Sequence, residues 1–102
     1  MSTKINRPVT TTQNAIDNVV YILEMSYKWF PSRVIQRQLG ITARDMRFIA
    51  SMSGGRIISG QKGYKAAVNA DKNELQQCVY RLRHQANEMM HRANEITQLA
   101  FA

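Results

Sequence analysis

All five glycines of this chain lie between Gly40 and Gly63, and Pro31 stands just ahead of them. Glycine and proline interrupt regular structure more strongly than any other residues: one frees the backbone, the other removes a donor and fixes φ. Residues 32–63 must therefore be assembled from short pieces. The long glycine-free stretches on either side are open to becoming helices.

On the first side, Ile16, Val19, Val20, Leu23 and Tyr27 recur at helical spacing, which predicts a helix from near Thr12 to about Lys28. Ile22, Met25 and Trp29 make a second apolar face, so this helix is expected to have two neighbours. Residues 1–12 are polar, carry Lys4 and Arg7, and are expected to form a flexible arm. Pro31 should stop the first helix, and Ser32 should cap a short one over Arg33 to Leu39 that ends at Gly40. Thr42 is placed to cap a third helix reaching about Met52, before Ser53-Gly54-Gly55 breaks it. Ile35, Leu39, Ile41, Met46 and Ile49 then face the inside of the helix pair. Arg56 to Ser59 and Tyr64 to Val68 read as two strands joined through Gly60-Gln61-Lys62-Gly63. A lone ribbon is marginal, so it must lean on the helices.

Beyond Asp71, which with Glu74 forms a capping-box pattern, a single helix is expected to about Leu99. Leu75, Val79, Leu82, Ala86, Met89, Ala93, Ile96 and Ala100 alternate in steps of four and three, which is a heptad seam. Such a helix outruns a small domain. Its distal half needs either the second face of the first helix or another copy of the chain, and a homodimer is the favoured expectation. The division is thus an arm over 1–12, a compact domain over 13–69 and a long helix over 70–102.

The formal net charge is +7. Lys28, Arg33, Arg37, Arg44, Arg47, Arg56, Lys62 and Lys65 face one acid, Asp45, within their stretch, whereas cations and acids balance in the rest of the chain. Charge held for solubility is spread over a surface with mixed signs. Confinement to one module makes a directed positive field, as expected of a surface that meets phosphate. The composition is globular, with no apolar run of membrane-spanning length and no signal-peptide pattern, so a cytoplasmic protein with no membrane partner is expected. Cys78 is the only cysteine, and His84 and His91 lie two helical turns apart, which leaves no ligand set for zinc. No phosphate-loop signature, carboxylate pair or nucleophile–base spacing is present. The expectation is a protein that is no enzyme and uses no metal or cofactor.

Short helix, glycine turn, second helix, basic ribbon is the order of a winged helix-turn-helix. Ile35, Leu39, Gly40, Ile41, Met46 and Ile49 match the spacing of that motif, and Gln36 departs from it, standing where a small residue usually sits. Ile57-Ile58-Ser59-Gly60-Gln61-Lys62-Gly63-Tyr64, followed by a long helix with Arg81 and Arg83, resembles the wing region of short winged-helix proteins of phages and prophages. The resemblance implies a mainly α fold, three helices plus a β-hairpin wing and a long C-terminal helix, in a double-stranded-DNA-binding protein of a bacterial host cell. Its expected role is that of a transcriptional regulator or a replication or recombination accessory factor.

On the residues themselves, Arg44, Arg47, Phe48 and Ser51 fall outward once Met46 and Ile49 turn inward. Arginine suits a base-reading surface because its fork takes guanine O6 and N7 together. Thr42, Arg44, Arg47 and Ser51 are therefore the candidate base readers, with main-chain N–H groups at Thr42 and Ala43 open to phosphate. Asp45 is expected to cap the helix or orient an arginine. Arg33, Arg37, Arg56, Gln61, Lys62 and Lys65 are the candidate phosphate contacts. Leu75, Val79, Leu82, Ala86, Met89, Ala93 and Ile96 are assigned to dimerisation or helix packing. The competing reading is a protein-interaction module whose basic face docks on an acidic host protein.

Overall fold

The computed structural model describes residues 9–101 of the chain. Among them the order is α1 (Val9–Ser26), α2 (Ser32–Leu39), α3 (Ala43–Ser51), β1 (Ile57–Gly60), β2 (Gly63–Ala66), a 3-10 turn (Ala67–Asn69) and α4 (Lys72–Phe101). The fold is mainly helical with one small antiparallel sheet. No described helix is long and apolar enough to cross a membrane. Two compact units meet the chain at Ala70 and Asp71, the first ending and the second beginning there.

In the first unit, Ile16, Val19, Val20 and Leu23 of α1 pack with Ile35 of α2, Met46 and Ile49 of α3, Ile57 of β1 and Ala66 of β2. Leu23, Ile35, Met46 and Val19 are fully enclosed. Each such side chain contributes about 1.5–3 kcal/mol by leaving water, which is what holds three short elements against α1.

Helix α1 begins at Val9, three residues earlier than the spacing predicts, so Val9 to Thr12 belong to the helix and not to an arm. The rest of the expected arm lies outside the described residues. The helix also ends early, at Ser26, and Pro31 is not what stops it. Tyr27 takes a left-handed φ of 60°, and the Ser26 hydroxyl donates to the Lys28 carbonyl while accepting from the Lys28 N–H. Asn69 donates from its side-chain amide to the carbonyls of Leu23 and Glu24, satisfying the last turn. Tyr27 and Trp29 therefore leave the helical faces assigned to them, and Tyr27 and Met25 are exposed.

Ser32 is the first residue of α2 rather than its cap; Pro31 holds the cap position and no side chain bonds there. Gly40 ends α2 in the left-handed conformation (φ 65°). Thr42 caps α3 through a full capping box, its hydroxyl accepting from the Asp45 N–H and its own N–H donating to the Asp45 carboxylate, both at 3.0 Å.

The hairpin pairs Ile57 with Ala66, Ile58 with Lys65, Ser59 with Tyr64 and Gly60 with Gly63. Against their sequence reading, β1 is shifted by one residue, with Arg56 ahead of it and Gly60 within it, and β2 is shorter, with Val68 in the 3-10 turn. Phe30 adds a third partner, exchanging N–H and carbonyl bonds with Tyr64 at 2.7 and 2.9 Å. The two turn glycines are needed for different reasons. Gly63 has φ 121°, and a Cβ there would collide with the Phe30 carbonyl oxygen. At Gly60 a Cβ would stand 2.8 Å from the Trp29 indole.

Helix α4 starts at a second reciprocal cap, with Asp71 N–H to the Glu74 carboxylate at 3.0 Å and Glu74 N–H to the Asp71 carboxylate at 2.8 Å. It runs for 30 residues.

Candidate nucleic-acid interface

Arg33 and Arg37 are one helical turn apart on α2 and project on one side of it. The turn between β1 and β2 carries Gln61 and Lys62. These elements enclose an open cleft of about 640 Å³ lined by Pro31, Ser32, Arg33, Val34, Gln36, Arg37, Gln61, Lys62 and Gly63. Three cations line it and no acid does. Its walls are fixed by the Phe30–Tyr64 bridge, which ties the segment entering α2 to β2 just after the hairpin turn. Gln36 lies along its own helix, its amide donating to the Ser32 hydroxyl at 2.9 Å, and lines the cleft. A residue that breaks the helix-turn-helix spacing thus has a place here.

The outward side of α3 carries a second cationic surface. Arg44, Arg47, Phe48, Ser51 and Met52 are all exposed, with Phe48 at 52% and Met52 at 55%. Arg44, Phe48 and Met52 form one row along the helix, and Arg47 and Ser51 the row beside it. The Ser51 hydroxyl donates to the Phe48 carbonyl at 2.7 Å, leaving its oxygen as an acceptor. Arg44 and Arg47 do not line the cleft beside α2. Arg33, Arg37, Arg44, Arg47 and Lys62 have no ion-pair partner among the described residues.

Three expected contacts change character. Lys65 is buried, with its ammonium 5.4 Å from the Trp29 ring centroid, and so leaves the set of phosphate contacts. A cation over an indole in this partly desolvated position is worth on the order of 1–2 kcal/mol, which makes Lys65 a structural residue of the hairpin. Arg56 is exposed but paired, its guanidinium donating to Asp17 of α1 at 3.1 Å. With both partners about half exposed the pair contributes at most about 1 kcal/mol, yet it neutralises that cation locally. Thr42 is exposed, but its oxygen is engaged by the Asp45 amide, and the Asp45 carboxylate occupies the positive end of α3. That carboxylate disfavours a phosphate at Thr42 and Ala43.

Sequence reasoning gave no sign of the Phe30–Tyr64 bridge or the Trp29–Lys65 contact, because both join residues more than thirty positions apart. Along α4, Val79, Leu82, Met89 and Ile96 are exposed, as are Ala86 and Ala93, while Leu75 is half-buried. His84 and His91 stand 3.6 and 3.3 Å from Glu88 and Glu95, one turn on. Among the described residues no three His, Cys, Asp or Glu side chains converge as a metal site. No protein-family model, curated protein or solved structure matches the chain.

Proposed function

We propose that this protein binds double-stranded DNA as a small winged helix-turn-helix protein, with α3 in the major groove and the hairpin turn on the phosphate backbone. The observation that carries the reading is the acid-free cleft in which Arg33, Arg37 and Lys62 meet from two elements. Surface cations not paired to carboxylates, gathered on both sides of an open cleft, suit a chain of phosphates. The element order supports the finer fold assignment. A helix, a single bridging position at Phe30, two helices and a hairpin is the sequence of parts in a winged helix.

Arg44 and Arg47 are the base readers in this proposal, each able to take a guanine edge with both arms. Ser51 follows one turn after Arg47 with an oxygen free to accept. Arg33, Arg37, Gln61 and Lys62 bind the backbone. A transcriptional, replication or recombination role is the setting in which such a module acts.

Titration of the chain into labelled random duplex, followed by selection of bound sequences from a random pool, tests the proposal. Micromolar binding that weakens steeply with salt, and a recovered guanine-containing sequence, are expected. No binding at low salt would remove the DNA reading and leave the basic face as a dock for an acidic protein.

A further inference from the structure

Every residue from Leu82 to Phe101 is exposed, including Leu82, Met89, Met90, Ile96, Leu99 and Phe101. Helices draw most of their stability in water from covering an apolar face, and this one is left open over five turns. Its exposed apolar residues are not scattered. Val79, Leu82, Ala86, Met89, Ala93, Ile96 and Ala100 keep the four-three spacing of a coiled-coil seam.

We infer that a second copy of this chain covers the seam, with the two α4 helices antiparallel. One set of alternate seam positions is small (Ala86, Ala93, Ala100), and the other is large (Leu82, Met89, Ile96). Parallel helices in register would stack alanine on alanine and large on large, so the gap between the axes would have to narrow and widen at every layer. Antiparallel helices place a small residue against a large one in each layer formed between these two sets, which keeps the spacing there constant and fills it. Two registers keep the most such layers, one setting Ala86 against Met89, with Val79 opposite Ile96, and the other setting Met89 against Ala93, with Ala86 opposite Ile96.

Area supports the same occupant. From Val79 to Ala100 the strip is about 33 Å long and about 10 Å wide. Pairing two such strips covers several hundred Å² on each copy, and on the order of 1,000 Å² together, where specific interfaces begin. Micromolar association is the strength we expect, since area alone does not set affinity. This inference is independent of DNA binding.

Cysteine cross-linking in a Cys78→Ser background tests the direction of pairing. Leu82→Cys mixed with Ala93→Cys or with Ala100→Cys is expected to give disulfide-linked heterodimers under mild oxidation. Leu82→Cys alone is expected to give none, because its two copies are more than about 15 Å apart in either register. Sedimentation of the unaltered chain should show a concentration-dependent dimer, and Met89→Glu should raise its dissociation constant at least about tenfold with helix content retained below the dimer range. Efficient cross-linking of Leu82→Cys with itself would overturn the antiparallel arrangement. A monomer at about 100 μM protein would overturn the pairing altogether.

Discussion

Tyr27 is the residue whose backbone departs most from what its side chain prefers. It is exposed and sits at φ 60° directly after α1, a conformation that costs a residue with a Cβ about 1 kcal/mol. Tyr27→Gly should therefore raise the free energy of unfolding by about 0.5–1 kcal/mol, read from urea denaturation. Gly63 and Gly60 set up the opposite case, since alanine at Gly63 meets main chain while alanine at Gly60 meets an indole that can shift. Gly63→Ala should lower the thermal midpoint further than Gly60→Ala; equal losses would mean the hairpin relaxes around either. The sequence carried the apolar spacing of α1 past its true end, because Tyr27 continues the helical period. Periodicity records which side chains are apolar and says nothing about a backbone that turns between them. Lys65 was misleading for a related reason: alternation along a strand does not reveal that an aromatic ring stands across from it.

Among the elements, α3 was the most legible. Its start and its end were written locally, in Thr42 with Asp45 and in Ser53 with Gly54. Thr42→Ala should cost about 1 kcal/mol in unfolding, since it removes one half of a reciprocal cap. The sheet was legible only as a hairpin, because its third partner, Phe30, comes from before α2 and carries no strand pattern of its own. On DNA the two cationic elements should separate in their effects. Arg44→Ala or Arg47→Ala should cost about 1–3 kcal/mol on a selected duplex and much less on random duplex. Lys62→Ala should weaken both alike and reduce the dependence of log K on log salt by about one. Phe48 adds a further test on α3, as exposed apolar surface beside two arginines suits a thymine methyl group. If Phe48 lies on one, replacing thymine by uracil in the selected duplex weakens binding of the parent protein and leaves Phe48→Ala unchanged.

Across the whole molecule, the charge summed from the sequence overstates what a partner meets. Arg56 is neutralised by Asp17, and Lys65 is enclosed. The cations with no ion-pair partner among the described residues that contribute to the proposed surfaces are Arg33, Arg37, Arg44, Arg47 and Lys62. With Arg33, Arg37 and Lys62 on the backbone and Arg44 and Arg47 on bases, a salt dependence corresponding to about three phosphates per chain is expected on a selected duplex, a slope near −3 by fluorescence anisotropy. A slope near −7 per chain would show that cations outside these two surfaces also meet phosphate. The seam of α4 was fully legible as a pattern, because heptad spacing is a property of sequence alone. Which surface covers it was not, since that depends on a molecule outside the chain. One further consequence follows from where Trp29 sits. It is the sole tryptophan, wedged against Gly60 and beneath Lys65, at the root of the loop that presents Lys62. The protein thus carries its own optical reporter, whose emission will register any ligand that lifts or tightens that loop, without a dye attached anywhere.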